Sequence, residues 1–103
     1  MERQPQISAD VLARYAADAA LEVDGVTAMA EGALHRGHGV IVSGKERALE
    51  VSLSIELGWG QSAREVGEAV QQRVAEYLDR MAGSRPASVD VVVETVGAPP
   101  PTR

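Results

Sequence analysis

The two histidines of this chain, His35 and His38, stand three residues apart in a polar, Gly-rich stretch, with Glu31 shortly upstream. Two imidazoles and a carboxylate at that spacing amount to half of a divalent-metal site. The chain has no cysteine to complete the set and no HExxH helix, so the stretch reads as a solvated loop. Gly58-Trp59-Gly60, just ahead of a helix start, invites a different chemistry, because free amides at a helix N-terminus bind phosphate. Neither GxxxxGK[ST] nor GxGxxG is present, and Ser62 is already placed to cap the helix. The glycines are therefore expected to support a strand-to-helix bend, with Trp59 folded over the edge of the core. No serine lies in a GxSxG elbow. The carboxylate pairs Glu65/Glu68 and Glu76/Asp79 fall on the polar flank of a helix, where charge serves solvation. Nothing here asks for catalysis, and the expectation is a protein that is not an enzyme and uses no cofactor or metal.

Composition narrows the remaining classes. A chain of 103 residues is one domain, and its apolar content is Val, Leu and Ala with no Phe and only Tyr15, Trp59 and Tyr77 as aromatics. Such a core must gain its stability from close approach of elements rather than from large rings. Fifteen acids against ten Lys and Arg give a net charge of −5, and the basic face that a phosphate backbone needs is missing. No apolar run approaches the roughly 18 residues of a membrane span. Met1-Glu2-Arg3-Gln4-Pro5 has no apolar stretch behind it and is not a secretory signal. The expected location is cytoplasmic, with any attachment to the membrane supplied by a partner rather than by direct insertion.

The elements follow from their punctuation. Ser8 is the expected N-cap of a first helix over Ala9–Asp24, with Asp10 in its first turn and Leu12, Tyr15/Ala16, Ala19 and Val23 at helical spacing. Gly25 is expected to stop it in a left-handed cap. Val26–Ala30 is a weak strand, residues 31–39 a loop, and Gly39–Ser43 a better strand. A tight connection at Gly44-Lys45-Glu46-Arg47 leads to the strongest one. There Leu49, Val51, Leu53, Ile55 and Leu57 alternate with Glu50, Ser52, Ser54 and Glu56, so one sheet face is covered and the other is not. Ser62 and Glu65 form a capping box for a second helix of about 20 residues, carrying Ala63, Val66, Val70, Val74, Tyr77 and Met81 inward. Gly83 and Pro86 end it, and Val89, Val91 and Val93 mark a last strand. Because strand–helix–strand crossovers are nearly always right-handed, the third and fourth strands should be parallel.

The fold expected is α+β and two-layered, in the order α-β-β-β-α-β, with a mixed sheet and both helices on one face. Residues 1–6 are expected to be a disordered N-terminus, 7–96 a single domain and 97–103 a flexible Pro-rich tail. The feature left for function is the open face of the sheet: Glu50, Ser52, Ser54 and Glu56 of the third strand, joined by Val92 and Val96 of the last. A semi-polar sheet face can receive a copy of itself or a partner protein.

Several blocks resemble the alkaline shock (envelope stress response) family of bacterial proteins. They are Ile7-Ser8 with Glu22-Val23-Asp24-Gly25-Val26; Gly39-Val40-Ile41-Val42 before a long alternating strand; Gly60 with Val70-Gln71-Gln72-Arg73-Val74 and Met81-Ala82-Gly83; and Val89-Asp90-Val91-Val92-Val93. The resemblance spans Ile7 to Val96. This chain has Asp90 where the family more often has Asn, and Trp59 where it often has Tyr. The resemblance implies a cytoplasmic structural or adaptor protein in cell-envelope homeostasis. It also implies self-association, attachment to the membrane through a small integral membrane protein, and no catalytic residues to carry over. The competing reading is a nucleic-acid-binding module using the open sheet face, which would need aromatics there and basic flanks. A third, small-molecule or metal binding, would work through His35 and His38.

Overall fold

The computed structural model describes residues 7–30, 39–44 and 48–99. Its elements run α1 (Ala9–Leu21), β1 (Val26–Met29), β2 (Val40–Ser43), β3 (Glu50–Leu57), α2 (Ala63–Ala82) and β4 (Ser88–Val96). Both helices begin where their caps require: Ser8 Oγ accepts the Val11 N–H and Ser62 Oγ accepts the Glu65 N–H, each at 3.2 Å. The helix α2 ends on Gly83 in the left-handed region.

The first helix is shorter than its hydrophobic spacing suggests. It ends at Leu21 rather than Asp24, because the Glu22 and Val23 amides turn back to the Ala19 and Ala20 carbonyls and tighten the last turn. Gly25 (φ 102°) does not cap the helix. It sits in a separate turn in which the Val26 N–H donates to the Val23 carbonyl.

Four strands make a sheet only three positions wide. β4 runs parallel to β3 along one edge, Glu50 beside Ser88 through Ile55 beside Val93, which is the mixed sheet expected of a right-handed crossover. The other edge of β3 is shared: β2 pairs antiparallel with Glu50–Leu53, and β1 antiparallel with Ile55–Leu57. Between them Ser54 receives the Ala30 N–H on its carbonyl and donates its own N–H to the Gly39 carbonyl, both at 2.9 Å. β1 and β2 thus lie end to end along one edge of β3.

The core lies between the sheet and both helices. Val51, Leu53, Ile55 and Leu57 of β3 are buried against Val66, Val70, Val74 and Leu78 of α2 and the stripe Ala13, Ala16, Ala17, Ala19 and Ala20 of α1. Leu78, four residues beyond Val74, completes the inner row of α2, while Ala63 and Met81 at its two ends are exposed. At the helix–helix contact Tyr15 and Tyr77 meet edge to face, ring centres 6.0 Å apart. Arg80 stacks over Tyr77 rather than pairing with Glu76, which instead accepts from Gln72. Arg64 and Glu68 form an i,i+4 pair at 3.4 Å. Trp59 is not folded over the core edge: its indole is 57% exposed on the turn between β3 and α2.

Candidate interaction surface on the open sheet face

Residues opposite one another on neighbouring strands point to the same side, so the register defines the open face row by row. Ser43, Glu50 and Ser88 form one row; Ile41, Ser52 and Asp90 the next; Ser54 stands beside Val92; and Ala28, Glu56 and Thr95 form the last. Glu50, Ser52, Ser54, Glu56 and Val92 therefore share a face, as the alternation of β3 predicts.

Val96 does not join them. Between Ile55/Val93 and Glu56/Thr95 the register of β4 slips by one residue, an irregularity at Glu94 that brings Thr95 beside Glu56 and Val96 beside Leu57. The slip reverses the parity of the strand, so Val96 belongs to the helix side of the sheet, where it is exposed at the rim. A second departure is Ser54, which is only 4% exposed: it lies mid-sheet, between the junction of Ala30 and Gly39 on one side and Val92 on the other.

Ile41 is the residue of this face that hydrophobic patterning alone misses. It is 47% exposed on β2 beside Ser52, and Val92, 50% exposed, lies one row away beside Ser54. The two branched side chains stand on the outer strands, one on either side of the serine pair of β3. Glu50, Glu56 and Asp90 share the face, and no Lys or Arg lies in these rows. The signal for Ile41 was its alternation with Val40 and Val42, but its side of the sheet depends on the hairpin register.

A concavity lies where the end of α1 meets the start of α2, an open cleft of about 400 Å³ lined by Val23, Val66 and Ala69 and edged by Glu22, Asp24, Glu65 and Arg73. Arg73 Nη1 lies 3.3 Å from Glu22 Oε1 across it, which ties the two helices at their exposed side. His35, His38 and Glu31 lie outside the described residues; among the described residues no group of three or more His, Asp or Glu could hold a metal ion. No helix among the described residues is long and apolar enough to cross a membrane.

Among solved structures, the MamM CTD has the same fold. A double-alanine variant of it superposes with a TM-score of 0.63 at 18% identity, covering 86% of this chain and 95% of that one. Its copper form gives 0.62 at 18% identity with 91% of each chain covered. The manganese form of a Glu-to-Asp variant gives 0.60 at 19%, with 84% and 96% covered. At such identities the likeness is one of architecture. No curated protein matches the chain significantly. The family profile that does match describes a cell envelope-related function and takes in residues 2–98, the whole α-β-β-β-α-β unit. The chain belongs to the alkaline shock protein 23 family, a family of cell envelope-related function.

Proposed function

We propose that this protein is a non-catalytic structural or adaptor component of the cell envelope that works by self-association and by binding a membrane-anchored partner through its open sheet face. The observation that carries the reading is the pair Ile41 and Val92, two half-exposed branched side chains on the outer strands of a face that neither helix covers. Exposed apolar side chains set among polar ones mark a face that can bind another protein. Family membership supplies the envelope context. Membrane recruitment through a protein agrees with a net charge of −5, since an acidic domain is repelled by anionic lipid headgroups. It places the protein in the cytoplasm, peripheral to the inner face of the membrane. The same three carboxylates at the face disfavour nucleic acid, whose phosphates need cations there.

The test is a pull-down of the tagged full chain from gently cross-linked cells, separated into membrane and soluble fractions, alongside the double variant Ile41→Ser/Val92→Ser. The reading expects an integral membrane protein to be recovered with the parent chain and lost with the variant. Recovery of nothing from the membrane fraction, or recovery that the variant leaves unchanged, would overturn it.

A further inference from the structure

The strand β4 is nine residues long, forms the outer edge of the sheet and carries valine at five of its positions. An edge strand presents a row of backbone donors and acceptors that a further strand can take up. Natural edges are blunted by Lys, Pro or a bulge, and β4 has only the slip at Glu94, near its C-terminal end. Gln71 Nε2 donates to the Val89 carbonyl at 3.0 Å. Among the described residues, Asp90–Val93 has no backbone partner other than β3. The side chains tell the same story. Val89, Val91 and Val93 pack against the core on the helix side yet are only partly buried.

We propose that the outer edge of β4 pairs antiparallel with the same strand of a second copy, in a register centred on Val91. The proposal rests on the self-association in the reading above and specifies its surface. A second copy suits this edge because one register of the strand with itself sets the longest run of valines together. Centred on Val92, the pair would set Asp90 against Glu94 twice, like charges directly opposed. Centred on Asp90 it would oppose the two aspartates, and centred on Val93 it would run through the slip at Glu94. A centre between residues would put helix-side valines beside outward-facing ones. Centred on Val91, the rows are Val91 with Val91, Val89 with Val93 and Asp90 with Val92, all short of the slip, and the Val89 carbonyl accepts the Val93 N–H of the second copy alongside Gln71. Valines then meet valines on the helix side, and no carboxylate faces another. The paired sheets become continuous, which joins the two open faces into one surface with both Val92 side chains near its centre.

The chain has no cysteine, so single replacements report the register directly. Val91→Cys places two thiols on directly opposed residues, with Cα atoms about 5 Å apart, inside the range that a disulfide spans. Val92→Cys puts its two copies about 8 Å apart and Val89→Cys about 14 Å, both outside that range. Under mild oxidation the V91C protein should form a covalent dimer roughly tenfold or more faster than either of the others, in step with the geometric limit on the bond. Sedimentation of the parent chain supplies the second measurement. If it is dimeric while V92C cross-links as fast as V91C, or while none of the three does, the edge pairing is wrong and self-association uses another surface. If the parent chain is monomeric at high concentration, the self-association reading falls with it.

Discussion

The Ala30 carbonyl lies so close to Gly39 that a β-carbon on the glycine would come within 2.5 Å of it. Eight residues separate the two in sequence, yet both hydrogen-bond to Ser54. This pinch makes β1 and β2 continue each other along a single edge of β3.

Gly39 is held at φ +72°, a conformation that side chains resist, and the neighbour that its β-carbon would strike is backbone that cannot rotate away. Gly39→Ala should therefore cost about 2 kcal/mol or more. Urea unfolding checks it, with the midpoint lowered and the slope unchanged. Gly67, whose added β-carbon would meet nothing within 4 Å, provides the contrast: in mid-helix, Gly67→Ala should stabilise by roughly 0.5–1 kcal/mol.

The alanine stripe of α1 sets how near that helix lies to its neighbours. Ala16, Ala19 and Ala20 have no exposed surface, and α1 also reaches α2 at Tyr15 and Tyr77. Enlarging one of them should push the helix off the sheet. Ala19→Leu is expected to destabilise by about 1–3 kcal/mol through overpacking, and Val74→Ala on α2 by a comparable amount through a cavity. Thermal unfolding of each variant checks both. Because the two changes act on one interface in opposite senses of volume, the double variant should fall short of the sum of the two losses.

Much of this architecture is legible in the sequence, and what is not has a common cause. The five-fold alternation from Leu49 to Leu57 states which face of β3 is buried, and Ser8, Ser62 and Gly83 mark helix ends through local chemistry. What escapes is whatever depends on register between distant residues. The joining of β1 and β2 has no local sign, since each is four residues long and the junction at Ser54 is a long-range contact. Val96 follows the parity of Val92 in the sequence and loses it only because a slip at Glu94 inserts one residue, which no side chain there announces. The overestimated end of α1 is similar: Val23 keeps the helical spacing, but the backbone has already turned tightly on Ala19 and Ala20. Hence Glu50, Ser52, Ser54, Glu56 and Val92 could be placed together in advance, and Ile41 could not.

The cap of α2 offers a local test. Ser62 Oγ accepts the Glu65 N–H at 3.2 Å, satisfying one of the amides that the helix leaves open at its start. Ser62→Ala should cost about 1 kcal/mol, and Ser62→Asp should retain most of the stability because a carboxylate accepts the same bond and suits the helix dipole. Denaturant midpoints of the three proteins would order them as parent, Asp, Ala, or with Asp and parent level. An Ala variant as stable as the parent would show that water replaces the hydroxyl without loss.

Ile41 and Val92 allow binding and folding to be separated. Each is about half exposed on the open face and neither belongs to the buried core. Replacing both by Ser removes apolar surface that the folded monomer leaves largely in water, so the stability of the monomer should move by only about 0.5 kcal/mol per site. Partner binding should respond more, because each side chain loses contacts that exist only in the complex, at about 1 kcal/mol each. Recovery of the membrane partner with I41S/V92S should fall by roughly tenfold or more, with a thermal midpoint close to the parent, whereas self-association should change far less because Ile41 stands on the opposite edge of the sheet from β4. If instead the variant unfolds early, these side chains serve packing that the register does not reveal. If both stability and partner recovery stay unchanged, the open face takes no part in binding the partner, and the role proposed for Ile41 and Val92 falls.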